Sequence, residues 1–251
     1  NLSVGNAIIY SDVPVQPAYL IPFSFFKSID HTLNHGIENQ NSMMFLNLSS
    51  RQLRHLHIYL SAFIDEFSIS RISSRTKHNF TSLKGGTSLS GWPLSNLNVN
   101  AEYTFSYPNT FEHYTETTTY ASNKYNLGHY LRGNSVDSYF SVSYLLPQSI
   151  KVKASYNYAV HGNDYAYDYN GPIPVDELPV LKEKSWSRSS FMLHAEYFPV
   201  QHLRFFVSYG FDDVQGFDLD GKTAQDYLNK FSPAYLHGKT NSLIIGFNLG
   251  I

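Results

Sequence analysis

The sequence predicts an all-β protein, specifically a transmembrane antiparallel β-barrel of the bacterial outer-membrane type. Three observations predict it: side chains that alternate between apolar and polar, connections that are alternately short and long, and many aromatic residues beside few charged ones. The alternation is clearest over residues 150–161. One face there consists of Ile150, Val152, Ala154, Tyr156, Tyr158 and Val160. A period of two over roughly ten residues lets a strand cross a bilayer with one face in lipid and the other in a wet lumen.

The same period recurs along the chain and predicts about ten strands within a single domain, residues 1–251. The predicted strands cover residues 2–10, 42–50, 56–64, 84–92, 97–105, 139–146, 150–160, 191–197, 203–211 and 243–251. The segment 84–92 is rich in glycine, and the alternation is weakest there.

The connections between these strands fall into two classes that alternate without exception. The short ones carry turn residues and lie near 51–52 and at 93–96, 147–149 and 199–202. The long ones are residues 11–41, 68–83, 107–135, 161–188 and 212–239. Outer-membrane barrels have short periplasmic turns and long outer loops, so this order also predicts that the long loops lie outside the cell.

The composition supports a membrane barrel and excludes several other classes. Aromatic residues make up 16% of the chain and charged residues 15%, and no apolar run is long enough for a transmembrane helix. The net charge of −2 gives no electrostatic basis for binding nucleic acid. The absence of cysteine excludes disulfides and thiolate metal sites. Because no phosphate-binding glycine loop is present either, we predict no cofactor.

The beginning of the chain suggests that more protein precedes it. Residues 1–5 have neither the basic nor the apolar region of a signal peptide, although a barrel protein must be exported to the outer membrane. The alternation is already under way at Leu2. We therefore expect a signal and further strands upstream of Asn1.

A soluble β-sandwich is the alternative fold, because its strands also alternate and its Greek-key connections are long. The apolar faces of the predicted strands have no second sheet with a complementary pattern. The long loops also fall systematically on one side. Both observations favour the barrel.

The first candidate site residues, Asp65 and Glu66, end a predicted strand. Neighbouring positions on a strand point to opposite faces, which makes this pair a poor general acid and base. We expect a salt bridge to Arg71, Arg75 or Arg132 instead. The apolar, proline-rich residues 14–27 predict a loop that packs inside the lumen or against the rim, with a short helix around residues 25–33.

Residues 102–133 form the densest polar stretch of the chain. The candidate ligand-binding residues in it are Glu102, His113, Tyr114, Glu116 and Arg132. His113 and Glu116 are two metal-ligand types without a third, so we predict no metal site and interpret the stretch as a hydrogen-bonded network that holds the loop.

Tyr165, Tyr167 and Tyr169 lie on one face of an extended segment, beside Asp168. Aromatic rings next to carboxylates suit stacking on sugars, whose C–H face is apolar while their hydroxyls need polar partners. The alternative is an aromatic girdle or the core of a loop.

An enzyme is a further possibility, since rim carboxylates and a histidine can activate water. Asp212 and Asp213 lie just past a predicted strand end, and His129, His161 and His237 all fall in outer regions. No diagnostic spacing connects these residues. We interpret the two acids as solvated loop residues and predict no catalytic residues.

Several motifs together point to a known family. They are Ala101-Glu102-Tyr103, Phe111-Glu112-His113-Tyr114, Tyr120, Leu127-Gly128-His129, Arg132-Gly133-Asn134, Asp65-Glu66-Phe67, Pro22-Phe23, Phe25-Phe26, Asp30-His31-Thr32-Leu33 and His161-Gly162. With them the chain resembles the Wzi-like capsule assembly family of outer-membrane β-barrels. The resemblance is to the Bacteroidota branch, which includes gliding-motility proteins, and it covers most of residues 1–165.

The resemblance implies a monomeric barrel of about eighteen strands, of which this chain would be the C-terminal part, with a lumen closed by loops. The implied function is non-enzymatic: to bind or organise surface polysaccharide, or to support gliding or the display of surface adhesins. Expected partners are outer-membrane lipid, surface polysaccharide and other outer-membrane, motility or secretion proteins. A porin-like solute channel and a subunit of a secretion or motility complex remain alternatives.

Overall fold

The computed structural model describes residues 1–21, 23–32, 39–72, 79–123, 125–165 and 178–250. Its strands are β1 (Leu2–Tyr10), β2 (Gln40–Ser50), β3 (Leu56–Glu66), β4 (Phe80–Ser90), β5 (Leu97–Ser106), β6 (Ala121–Ser122), β7 (Tyr125–Asn126), β8 (Ser135–Leu146), β9 (Ile150–Gly162), β10 (Lys184–Val200), β11 (Leu203–Gly216) and β12 (Gly238–Leu249). Its α-helices are α1 (Phe26–Thr32), α2 (Ile69–Ile72) and α3 (Ala224–Phe231).

Ten of the strands form one antiparallel sheet in the order β1-β2-β3-β4-β5-β8-β9-β10-β11-β12, and β6 pairs with β7 in a small hairpin. Each long strand therefore pairs with the next long strand along the chain. The prediction of an all-β protein with about ten strands is confirmed. Within the described residues, β1 and β12 each pair on one side only, so the sheet is not closed.

The connections alternate in length as the sequence predicts. The short ones are 51–55, 91–96, 147–149 and 201–202, and the long ones are 11–39, 67–79, 107–134, 163–183 and 217–237. The strands extend further toward the long loops than the alternation indicated. For this reason Asp212 and Asp213 lie inside β11, and the prediction that they follow a strand end is wrong. At that end the loops cover the sheet, so polar residues occupy strand positions.

The two faces of the sheet have opposite chemistry. A typical row of hydrogen-bonded partners on one face is Val99, Val142, Ala154, Leu193, Tyr209 and Leu243. The adjacent row on the other face is Asn100, Ser141, Ser155, Met192, Gly210 and Ser242. We call these the apolar face and the polar face. On β5, β8 and β9 the apolar face carries no charged residue.

Loops cover the polar face at its long-loop end through two apolar clusters. Tyr227 of α3 packs with Trp186 and Val214 of the sheet and with Leu131 of the 107–134 loop. The second cluster consists of Met43, Phe63 and Phe111, packed against Ala7, Ile9, Phe45 and Tyr120. Away from α1 the apolar face, in contrast, stays open, since Leu60, Phe140 and Phe247 on three different strands are 44%, 48% and 70% exposed.

The short helix predicted around residues 25–33 is present as α1, and it packs at the rim. The backbone N–H of Phe26 donates to Oδ1 of Asn6 at 2.8 Å, and the hydroxyl of Ser42 donates to Asp30 at 2.7 Å. By register Asn6 and Ser42 belong to the apolar face. Pro22 and residues 33–38 lie outside the described residues. No helix in the described part of the chain is long and apolar enough to span a membrane.

Candidate functional site

The 107–134 loop surrounds a cavity of about 550 Å³, a size typical of small-molecule sites. Its wall consists of Phe111, Glu112, His113, Glu116, Thr117, Thr119, Ala121, Asn123, Asn126 and Arg132. The loop is anchored from below by Phe111, whose ring lies 4.6 Å from that of Phe63. The backbone N–H of Tyr120 donates to the carbonyl of Phe111 at 3.0 Å, which closes the loop around the cavity.

Several residues of this loop have unfavourable backbone conformations that contacts with other parts of the protein hold in place. Among the described residues of the loop, five that are not glycine have positive φ: Asn109 (56°), Phe111 (76°), Asn123 (49°), Arg132 (63°) and Asn134 (50°). Left-handed backbone at such residues persists only where surrounding contacts impose it, and it concentrates at ligand sites. The Asn134 side chain supplies one such contact, because it donates to the carbonyl of Asn163 and accepts from the N–H of Leu181, both at 2.8 Å.

His113 presents a neutral ring to the cavity. Its Nδ1 lies 2.7 Å from Oγ1 of Thr118, and the backbone N–H of Thr115 approaches the same atom at 3.4 Å. Burial, together with the positive charge of Lys27, lowers the pKa of His113 to about 4. At neutral pH the imidazole therefore acts as an uncharged hydrogen-bonding group.

Glu112 and Arg132 form the wall between this cavity and a second, much smaller void of about 20 Å³, which has room for one water. Burial and the negative charge of Asp164 raise the pKa of Glu112, although Lys230 and Arg132 partly oppose the shift. The cavity thus offers one guanidinium, a carboxyl group with weakened acidity, the exposed carboxylate of Glu116, threonine hydroxyls and asparagine amides.

Behind this wall an ion-pair cluster joins two loops. Asp164 lies 2.7 Å from Nζ of Lys222 and 3.0 Å from Nζ of Lys230, which belongs to α3. Burial alone would raise the pKa of Asp164, but Lys230 and Lys222 hold it below its ordinary value. The cluster connects the 163–183 loop to the 217–237 loop, and its Asp164 borders the same small void as Glu112.

The structure brings together some of the predicted site residues and separates others. His113, Glu116 and Arg132 line the cavity, and the ring of Tyr114 lies 4.1 Å from that of His113. Tyr165 borders the smaller void beyond Arg132. Tyr167, Tyr169 and Arg75 lie outside the described residues.

The remaining predicted site residues lie elsewhere. Glu102 is in the middle of β5, away from the cavity. Asp65 is buried at the end of β3 and accepts a hydrogen bond from Asn41 at 3.1 Å. Glu66 pairs with Arg71 at 3.0 Å, so the predicted salt bridge from this pair is confirmed.

Sequence reasoning missed several residues of the cavity wall, above all Glu112, Thr117, Thr119, Asn123 and Asn126. Glu112 belongs to the Phe111-Glu112-His113-Tyr114 motif, which was a signal for it. The threonines and asparagines carry no pattern of their own, because their roles depend on how the loop folds back on itself.

Within the described residues, the acids and histidines considered for a hydrolase do not come together in one site. Asp212 accepts hydrogen bonds from Nε and Nη2 of Arg188 at 2.9 and 2.7 Å. His129 faces Asp137, and His237 contacts Gln225. No group of three or more metal-ligating side chains is close enough to hold an ion in this part of the chain.

The contacts of His161 with Ser185 on one side and Asp164 on the other resemble a catalytic triad. Nδ1 of His161 is 2.7 Å from the hydroxyl of Ser185, and its Nε2 is 3.7 Å from Asp164. The Ser185 side chain is fully buried, however, and its hydroxyl donates to the carbonyl of Gly162 at 2.6 Å. A nucleophile must reach its substrate, so we interpret these contacts as structural.

Comparison with known proteins gives no match to a family model, to a curated protein or to a solved structure. The resemblance to the Wzi-like family therefore stays a prediction.

Proposed function

We propose that this sheet is part of the wall of an outer-membrane β-barrel whose long loops hold surface polysaccharide, without catalysis. One observation carries the proposal: the apolar face is open except where α1 packs at the rim of β1 and β2, whereas loops cover the polar face at its long-loop end. In water this arrangement is unfavourable, since a soluble sheet buries its apolar face and exposes the other. Lipid on the apolar face removes the conflict.

The order of residues on the apolar face also supports a membrane location. Near the short connections, Tyr197, Phe205 and Phe247 form one row. Toward the long loops, a second row contains Phe140, Tyr156, Phe191 and Phe211. Aliphatic residues predominate between them. Two aromatic girdles around an aliphatic band are typical of outer-membrane barrels.

The proposal requires that the edges of the sheet be paired. Lipid offers no hydrogen bonds, so unpaired N–H and C=O groups along β1 and β12 would each cost several kcal/mol in a bilayer. Further strands between these edges would satisfy them. A barrel of about eighteen strands, as the family resemblance implies, would meet this requirement.

The chemistry of the cavity favours a saccharide as the ligand. Carboxyl, amide and hydroxyl groups can each pair with sugar hydroxyls, and Phe111 adds an aromatic ring to the wall. Among the described residues of the wall, two carboxyl groups beside a single guanidinium disfavour a phosphate-rich ligand. The covered polar face also favours a closed lumen over an open solute channel.

Titration calorimetry with oligosaccharides released from the surface polysaccharide of the producing cell tests the proposal. Arg132→Asn removes the guanidinium while keeping a residue that tolerates left-handed backbone. We expect about tenfold weaker binding, the loss of one charged hydrogen bond. Arg204→Asn, near a short turn, serves as the matched control and should bind normally. Equal affinity in all three proteins, or shortening of the oligosaccharides, would count against the proposal.

A further inference from the structure

The apolar face contains a groove where β4, β5, β8 and β9 lie side by side. Its volume is about 470 Å³, and it is shallow and open toward the outside of the sheet. Small residues form its floor, namely Gly85, Thr87, Ala101 and Ser138, and large rings form its sides, namely Tyr103, Phe140 and Tyr156. The rings are about half exposed, so they stand above the floor.

Gly85 leaves the space for this groove, although the fold does not require a glycine at this position. A Cβ atom at this position would have Leu60 as its nearest neighbour, at an ordinary 3.9 Å, and the backbone φ lies outside the left-handed region. Glycine within a strand costs stability relative to alanine. At the next position, Gly86, a Cβ would overlap the ring of Tyr59, so that glycine has a structural reason. Gly85 has none except the open space above it.

A cation lies beside the groove on the side of the long loops. Nζ of Lys184 is 3.4 Å from the hydroxyl of Tyr158, and Tyr158 is the strand partner of Ser138 on the floor. Lys184 is exposed, and among the described residues its polar contact is with Tyr158 and not with a carboxylate. If the long loops lie outside, this amine is at the level where the headgroups of the outer leaflet begin.

We propose that the groove binds one acyl chain of a phosphate-bearing lipid, with the chain over Gly85 and the phosphate at Lys184. The inference rests on the proposed membrane location. The groove is continuous with the lipid-facing surface and its wall is mostly apolar, which suits a hydrocarbon chain. Lys184, which makes no ion pair among the described residues, complements a phosphate and not a neutral headgroup.

The test measures lipid retention by native mass spectrometry on the protein in detergent micelles. Dipalmitoyl phosphatidic acid is the probe, and dipalmitoylglycerol has the same chains without the phosphate. We expect one phosphatidic acid to stay bound to the unmodified protein and its affinity to fall at least tenfold in Gly85→Leu. Lys184→Gln should weaken phosphatidic acid severalfold and leave dipalmitoylglycerol unchanged.

Ala195→Leu places the same leucine side chain on the apolar face of β10, outside the groove, and should retain the lipid. Ala101→Leu fills the floor from β5 and provides a second obstructing variant if Gly85→Leu folds poorly. Unchanged retention in a folded obstructing variant overturns the inference. Vesicle flotation and oligosaccharide binding on the same preparations separate the two proposals. A protein that floats and binds sugar without lipid selectivity refutes only the groove, whereas one that does not float refutes the membrane location as well.

Discussion

The hydroxyl of Tyr59 donates a hydrogen bond of 2.5 Å to Glu102, although the two residues lie on strands that are not neighbours. Tyr59 is on β3 and Glu102 on β5, and the residue between them in register is Gly86 of β4. The phenol ring lies across this glycine, where a side chain would block it. Lys84 approaches the other oxygen of the same carboxylate at 3.1 Å, so Glu102 organises three strands of the polar face.

Replacing Gly86 with alanine should destabilise the protein. The new Cβ displaces the Tyr59 ring and breaks its bond to Glu102, which we expect to cost about 1–3 kcal/mol of unfolding free energy. Gly85→Ala is the matched control, one position away on the opposite face, and should be neutral or slightly stabilising. Guanidinium unfolding in detergent micelles measures both. Similar midpoints for the two variants would contradict this account of Gly86.

The sequence predicted the sheet well because a strand's two faces are encoded locally, by neighbouring residues of opposite polarity. For the same reason the alternation predicts only a weak strand around Gly85 and Gly86, because glycine has no side chain that would mark one face as apolar or polar. The role of Gly86 depends on Tyr59 and Glu102, which come from two other strands. Asp212 was misplaced because polar residues at a covered strand end do not alternate.

The cavity was predictable only in part. His113, Glu116 and Arg132 were identified by residue type and by the motifs around them. Glu112 was not, because its altered acidity depends on Asp164, which comes from a different loop. Such contacts between distant segments leave no periodic pattern in the sequence.

Replacing Asp164 with asparagine should loosen the 217–237 loop. The change removes the partner of Lys222 and Lys230, and we expect a loss of about 1–3 kcal/mol, as for other partly buried charged contacts. Hydrogen exchange in residues 217–237 should accelerate. Because the pKa of Asp164 is lowered, its stabilisation is present above the ordinary carboxyl pKa and disappears as the pH falls below it.

Asp213→Asn is the control for this change, because Asp213 contacts Gln215 and lies on the apolar face of β11, whereas the loops cover the polar face. Its exchange in residues 217–237 should match that of the unmodified protein. Equal exchange in the two variants would mean that the Asp164 cluster does not hold the loop.

His113 should make the 107–134 loop less stable in mild acid. Its folded pKa of about 4 lies below the unfolded value of about 6.5, so the unfolded state binds more protons between these pH values. Stability is therefore complete above pH ~6.5 and falls as the pH approaches the folded pKa. Glu112, with its raised pKa, contributes in the opposite direction.

The imidazole signals in NMR spectra report this titration directly, and His113→Gln identifies the signal of His113. We expect a midpoint near 4 and a flatter dependence of stability on pH in the variant. His202→Gln, at a short turn, should leave the dependence as it is. A His113 signal that titrates near its ordinary value would show that the ring is hydrated and not buried in the wall.

A pair of lysine substitutions on β10 distinguishes a lipid-facing sheet from a soluble one. Leu193 is 44% exposed on the apolar face, and its neighbour Met192 is 46% exposed on the polar face. If both faces met water, Leu193→Lys and Met192→Lys would have similarly small effects, since exposed sites tolerate substitution. Leu193 belongs to the aliphatic band between the two aromatic rows. In a bilayer, lysine at that depth costs about 2–4 kcal/mol, whereas Met192→Lys adds a charge to a polar surface. Unfolding from phosphatidylcholine vesicles measures the difference, and equal stabilities would argue that water, and not lipid, covers the apolar face.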